Sequence, residues 1–313
     1  MRSTSLTSTF ALITVAALGL TACGSGDGAA GGETTAAKNA EIPTTDVVSG
    51  LARDPAAAEL LPPDVSESGS LKIAVTVGGN PPNSTYLPDG KTIVGQDVDF
   101  ANAVAKVLGI ELDQEVAGFE AILPALGSGK YDLGTGNFGV TDERRKTIDF
   151  VTYINDGQGF AVRKDSGLKK VTDLKQLCGL NVATGAGTTF EATLEENRKA
   201  CSAAGEKPYD VKTYSESSAV WSSLQQGRSD VVMSTINGLR YAVKQQEGLK
   251  FLNEFHRLDV GFAFKKGTPL APAFQAAVNK LIANGTYAKI LRKWGTVPSG
   301  IDTSRISPPE IKD

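Results

Sequence analysis

The run Gly136-Asn137-Phe138-Gly139-Val140-Thr141-Asp142-Glu143-Arg144-Arg145 holds the residue types best suited to gripping a small anion. It lies between two short runs that read as strands, Tyr131-Asp132-Leu133 and Ile148-Asp149-Phe150. A Gly-rich turn would expose backbone N–H groups, Thr141 adds a hydroxyl, and Arg144 follows three residues later. A guanidinium holds a carboxylate bidentately, and amides at a helix start add partial positive charge. Taken alone, the run also fits a plain strand-to-helix turn, with Thr141 as an N-cap and Arg144 in solvent. The surrounding chain favours the anion site.

The chain opens with a short apolar stretch, Phe10 to Leu20, preceded by the single charge Arg2. It is too short to span a bilayer and reads as a cleaved signal peptide over residues 1–22. Leu20-Thr21-Ala22-Cys23 matches the bacterial lipoprotein cleavage box, so Cys23 is expected to become the lipid-bearing N-terminus. That places the protein at the outer face of the cytoplasmic membrane, anchored by lipid rather than by a spanning helix. Residues 23–66 read as a tether: Gly24 to Ala40 is Gly, Ala, Thr and Ser without apolar periodicity, and Pro43, Pro55, Pro62 and Pro63 extend the irregular stretch. Within it, Val47-Val48 and Leu60-Leu61 are candidates to dock on the folded body. The remainder, roughly 245 residues, suits two modest domains.

Composition narrows the chemistry. A net charge of -3 without a block of like charge argues against nucleic-acid binding. The single histidine, His256, argues against a His-based metal site or a Ser/His/Asp triad, and no metal or other cofactor is expected. Beyond Cys23 there are two cysteines, Cys178 and Cys201; in an extracytoplasmic chain an even pair suggests a disulfide, the alternative being two buried thiols.

The body alternates strand-like and helix-like segments, which is α/β organisation in two blocks. Strands are expected at 71–75, 111–116 and 132–135, with helices at 97–108 and 119–126. After 158–162 the rhythm restarts: helices open at Thr172 and Thr188 and run over 217–225 and 238–246, with strands at 181–183, 211–213 and 230–233. A strand at 259–264, helices at 272–283 and 287–294, and an extended tail over 295–313 complete the reading.

Several motifs then resemble, in order, those of the family 3 solute-binding proteins, the polar amino-acid receptors of ABC importers. They are Gly95-Gln96-Asp97-Val98-Asp99-Phe100, the helix Phe119 to Leu126, Gly129-Lys130-Tyr131-Asp132 with Thr141-Asp142-Glu143-Arg144, Gly185-Ala186-Gly187-Thr188-Thr189, Gly227-Arg228-Ser229-Asp230, and Asn284-Gly285-Thr286-Tyr287 with Lys293-Trp294-Gly295. The Asp-Val-Asp run invites a metal reading but fits a helix opening better. The resemblance implies a two-lobed periplasmic-binding-protein-like fold of type II, with a two-strand hinge and the ligand cleft between lobes. Lobe 1 would comprise 67–158 and 260–313, and lobe 2 the inserted 159–259, with crossings near Gly157–Ala161 and Asp259–Ala263.

It also implies roles. Arg144 would pair a ligand carboxylate, helped by Thr141, the Gly139 amide and the amides of Thr188 and Thr189. Asn137 would offer an acceptor to an ammonium, and Phe119 would stack on the ligand or else serve as a core aromatic. Family members that bind α-amino acids usually carry an Asp where this chain has Thr235, and a neutral hydroxyl does not replace a buried counter-charge. The loop after the first strand, with Thr76, Gly79 and Asn80-Pro81-Pro82-Asn83, lacks the acid and aromatic of basic-amino-acid receptors. Asp156, Gln158 and Asn237 are candidates for the missing polar contacts, and Asn80 and Thr235 themselves are counted among the candidate ligand-binding residues. The implied partners are an amino acid or derivative, the membrane-spanning permease, and the membrane through the lipid; a monomer is expected. A cyclohexadienyl dehydratase-like enzyme on the same fold, with Glu191 as acid, and a ligand-sensing domain are the competing readings; Glu191 also fits a plain first-turn acid.

Overall fold

The computed structural model describes residues 41–79 and 81–312. The expected signal peptide, Cys23, the first part of the expected tether, Asn80 and Asp313 lie outside them. Two short helices, α1 (Pro55–Ala58) and α2 (Pro63–Ser68), precede β1 (Ser70–Val75). A small ribbon of β2 (Thr85–Tyr86) and β3 (Ile93–Val94) leads to α3 (Gln96–Leu108), β4 (Glu111–Val116), α4 (Phe119–Ser128) and β5 (Leu133–Gly139). The long strand β6 (Ile148–Arg163) enters the second block: β7 (Asn181–Gly185), α5 (Thr189–Asn197), α6 (Lys199–Ala203), β8 (Asp210–Tyr214), α7 (Ser217–Gln225), β9 (Val231–Thr235) and α8 (Ile236–Gln245). Another long strand, β10 (Leu249–Lys265), returns to the first block, which α9 (Ala271–Ala283) and α10 (Thr286–Trp294) complete.

Eight strands form one sheet in the order β4-β1-β5-β10-β6-β9-β7-β8. Its centre is the antiparallel pair β6–β10, which runs from Ile148 opposite Lys265 to Arg163 opposite Leu249. Two sets of cores serve the two ends. Phe100, Tyr153, Ile154, Val260, Phe262 and Phe274 belong to one, with Tyr153 and Phe262 ring centroids 4.7 Å apart. Phe160, Leu194, Tyr209 and Met233 belong to the other. The change of core falls between Ile154 and Phe160 on β6 and between Phe255 and Val260 on β10. These are the two lobes and their two-strand hinge, and the β10 crossing sits a few residues earlier than 259–263.

Three expectations are corrected by packing. Residues 41–66 are not a free tether: Val48 and Leu61 dock as expected, but Ala57 and Val65 also enter the first core, and Asp54 pairs with Lys280 of α9 at 2.8 Å. Gly136 to Gly139 is not a turn but the second half of β5, held by pairing of Phe138 with Gly261 and of Gly139 with Val260. Gly136 is needed there because a Cβ would lie 2.3 Å from Thr76 Cγ2. The first half of β10 escapes pattern reading because register shifts at Phe251/Asn253 and Glu254/His256 break its alternation.

The expected extended tail is also anchored. Beyond the turn Val297–Ser299 it lies along the outer edge of β6, where Thr152 N–H donates to Arg305 O at 3.0 Å and Ser307 N–H to Phe150 O at 2.9 Å. This covers a strand edge that would otherwise present unpaired backbone groups. Cys178 and Cys201 form a disulfide, tying the turn before β7 to α6 in the second lobe.

Candidate functional site

A cavity of about 120 Å³ lies between the lobes. It is smaller than the roughly 300–1,000 Å³ of drug-sized pockets, which suits a small solute. Arg144 reaches it from a single 3₁₀ turn, Arg144–Lys146, that follows β5. The α-helix expected after Thr141 is absent, because the chain turns directly into β6. Thr141 does not line the cavity; its Oγ1 accepts the Arg144 N–H at 3.1 Å and so shapes the turn. The guanidinium donates to Gly139 O at 3.1 Å and across the cleft to Gly187 O at 3.0 Å. Those bonds use two of its five N–H donors, and no carboxylate pairs with it among the described residues. Desolvation pulls its pKa down to about 10, which leaves it cationic at neutral pH. It lies 5.9 Å from the centroid of the Phe119 ring, which stacks on Phe138 at 4.8 Å and lines the cavity, so Phe119 joins core and cleft.

The second lobe meets this group with neutral residues. Thr188 caps α5, accepting from Glu191 N–H at 3.2 Å and donating to Gly185 O at 2.7 Å. Thr188 and Thr189 both line the cavity. Glu191 accepts the Gly187 N–H at 2.7 Å, the capping use of a first-turn acid. Gly187 has φ +70° and a Cβ there would come within 3.1 Å of Glu120 Cα, a close approach between the lobes that only glycine permits. Thr235 lines the cavity and caps α8, its Oγ1 accepting from Gly238 N–H at 3.1 Å. Tyr214 and Trp221, which the sequence reading missed, add an aromatic wall.

The three polar substitutes suggested by sequence sit behind the cavity rather than in its lining. Asp156 is fully buried at the crossing, where Oδ1 accepts Asn237 N–H at 3.2 Å and Oδ2 accepts the Asn137 amide at 3.3 Å. Burial raises its pKa to about 6. Gln158 donates to Thr193 Oγ1 at 2.9 Å and Thr189 O at 3.3 Å, fixing α5 to the hinge. Asn237 pairs with Ser299 Oγ at 2.9 Å. Asn137 does line the cavity, held at φ 60° with its amide committed to Asp156.

One acid in the lining was read only as a helix opener. Asp97, in the first turn of α3, is 1% exposed. Its Oδ1 accepts the Tyr153 hydroxyl at 2.7 Å, and its Oδ2 has no partner. Burial, opposed in part by the Tyr153 bond and reinforced by the Asp156 charge, raises its pKa to about 7. Its neighbour Asp99 has a different use, accepting from Trp294 Nε1 at 2.7 Å and pairing with Lys293 at 2.8 Å. Among the described residues no cluster of acids, His and Cys has the arrangement of a metal site.

Residues 71–297 match the family model described as bacterial extracellular solute-binding proteins, family 3. The chain belongs to that family. This solute-binding protein is 29% identical over 249 residues to an arginine-binding protein of Corynebacterium glutamicum, covering 78% of this chain and 81% of the relative. It is 30% identical over 254 residues to an L-cystine-binding protein of Escherichia coli strain K12, covering 79% and 91%. Among solved structures it resembles an ancestral arginine-binding protein bound to arginine, with TM-score 0.65, 32% identity and coverage of 72% and 98%. It also resembles an ancestral amino acid-binding protein described as a precursor of cyclohexadienyl dehydratase, with TM-score 0.65, 27% identity and coverage of 74% and 97%. Family membership makes this an extracytoplasmic receptor. No helix among the described residues is long and apolar enough to cross a membrane.

Proposed function

We propose that this solute-binding protein captures an amino acid or amino-acid derivative between its lobes and delivers it to the permease of an ABC importer. One observation carries the reading: a cationic Arg144 faces a small inter-lobe cavity and has no carboxylate partner among the described residues. A ligand carboxylate supplies that counter-charge, with Thr188, Thr189 and Phe119 completing its surroundings. Lipid at Cys23 holds the receptor at the outer membrane face, a point that mass spectrometry of the membrane-extracted N-terminal peptide checks.

Thermal unfolding of protein stripped of ligand by denaturation and refolding tests the function. The panel is the twenty standard amino acids with betaines, ectoines, opines and small sugars. A ligand at about a thousand times its dissociation constant adds roughly 4 kcal/mol. A shift with a carboxylate-bearing member and none with sugars is the expected result; a shift with sugars alone would sink the proposal. The enzyme reading draws on the dehydratase-precursor relative, and turnover of arogenate or prephenate is its check. Glu191, its candidate acid, is occupied with the Gly187 amide.

A further inference from the structure

The cavity holds two charge-bearing groups of opposite sign that the protein leaves unmatched. Arg144 is bonded only to carbonyl oxygens, and Asp97 keeps one carboxyl oxygen without a partner. A buried carboxyl oxygen without a hydrogen bond is costly and uncommon in native proteins. We infer that Asp97 is the cation-binding residue of this receptor, its Oδ2 accepting an N–H of the ligand's ammonium while Arg144 holds the carboxylate. The inference rests on the amino-acid reading of the site and says which residue does the work that Thr235 does not.

The surroundings of Asp97 support this assignment. From β6 it meets a donor, the Tyr153 hydroxyl, and a like charge, Asp156. On the helices packed against α3, Lys293 of α10 pairs with Asp99, Lys280 of α9 pairs with Asp54, and the Tyr287 hydroxyl of α10 donates to Tyr153 O, while Lys289 and Arg292 of α10 form no ion pair with Asp97 among the described residues. No protein cation therefore neutralises Asp97 among the described residues. Ser84 Oγ is a second buried oxygen in the same lining with no partner, so an ammonium, which has three N–H donors, finds two acceptors there. Asp156 is a poor alternative, since both its oxygens already accept from Asn237 and Asn137. A zwitterion satisfies Arg144 and Asp97 together, whereas a simple carboxylic acid satisfies only Arg144.

Proton linkage gives a signature. Desolvation holds the free Asp97 carboxyl near a pKa of about 7, and an ammonium binds its ionised form. Affinity for the zwitterion should therefore rise with pH up to about 7 and level off above it, as the competing proton is lost.

The experiment is calorimetry on the refolded receptor with each of the twenty L-amino acids and their des-amino carboxylic acids, between pH 5.5 and 8.5. The variants are Asp97→Asn, which keeps an acceptor for Tyr153, and Asp97→Asn with Thr235→Asp, where the new acid also retains the cap of α8. The expected result is a loss of about thirtyfold or more for the amino acid in Asp97→Asn, with no pH dependence, little change for the des-amino acid, and partial recovery in the double variant. Unchanged affinity and pH profile in Asp97→Asn would overturn the inference alone. So would an equal loss for the amino acid and its des-amino acid, which marks a structural role. Binding only of a derivative without an ammonium N–H, such as a betaine, would overturn the inference alone, and a wild type that binds neither an amino acid nor a derivative would overturn the amino-acid reading and this inference with it.

Discussion

The two faces of the cleft are built from different chemistry. The first lobe brings charge: Arg144 on a short 3₁₀ turn and Asp97 in the first turn of a 13-residue helix. The second lobe brings hydroxyls, helix-capping amides and the rings of Tyr214 and Trp221. Charge in lobe 1 is held by the larger core and by the anchored tail, whereas lobe 2 is a smaller body stapled by its disulfide. The difference suggests a division of labour in which lobe 1 sets what binds and lobe 2 sets how firmly the cleft closes, because neutral donors add little until water is excluded.

Four perturbations break or sharpen that division. Replacing Cys178 and Cys201 by serine should cost roughly 3 kcal/mol of stability in chemical unfolding, through a loop with a sequence separation of 23, while leaving affinity near wild type. A collapse of affinity with stability intact would contradict the view that the staple serves lobe 2 as a body. Arg144→Ala should weaken binding at least tenfold, about 1.4 kcal/mol or more, with little change in melting temperature. Unchanged affinity in calorimetry would remove Arg144 from the site. Thr188→Ala should cost about 1 kcal/mol of stability by removing the α5 cap, and affinity should fall only a few-fold. A larger affinity loss than for Arg144→Ala would reverse the proposed roles of the two faces.

The smallest effect concerns the tail. Glu310 accepts the Asp142 N–H at 2.9 Å and Arg145 Nε donates to Ser307 O at 2.9 Å, so the tail steadies the loop that carries Arg144. Glu310→Ala should lower affinity about twofold and change stability by no more than about 0.5 kcal/mol.

Charge in lobe 1 also gives a pH dependence of ligand-free stability. Asp97 and Asp156 have folded pKa values raised above the carboxylate norm, to about 7 and about 6. The folded state then binds protons more tightly than the unfolded one, so their contribution falls as pH rises from about 4 to about 7. Melting curves of Asp97→Asn should decline less over that window than wild type; identical slopes would show that Asp97 ionises freely in the fold.

Much of this was legible from local pattern. Helices at 97–108, 217–225, 272–283 and 287–294 appeared close to where α3, α7, α9 and α10 lie, because apolar spacing and Gly termini are local signals. Arg144, Phe119, Thr188, Thr189 and Thr235 were found by motif and do line the cavity. Thr141, Asp156, Gln158 and Asn237 were placed in the site by type and position, yet each spends its side chain on the scaffold. Asp97 was in plain view in Gly95-Gln96-Asp97-Val98-Asp99, but nothing in that string distinguishes it from Asp99, which faces Lys293 and Trp294.

The sequence by itself determined the α/β alternation, the candidate anion-binding run that ends in Arg144, the second-lobe threonines and the absence of an acid at position 235. Those follow from residue type and short-range spacing. Tertiary structure alone decided that β5 runs on to Gly139, that residues 41–68 and the tail pack on lobe 1, and that Asp97 rather than Asp156 faces the ligand space with an oxygen to spare. Each depends on pairing or burial between segments distant in the chain, where the free energy comes from desolvation and hydrogen-bond partners that no local pattern records.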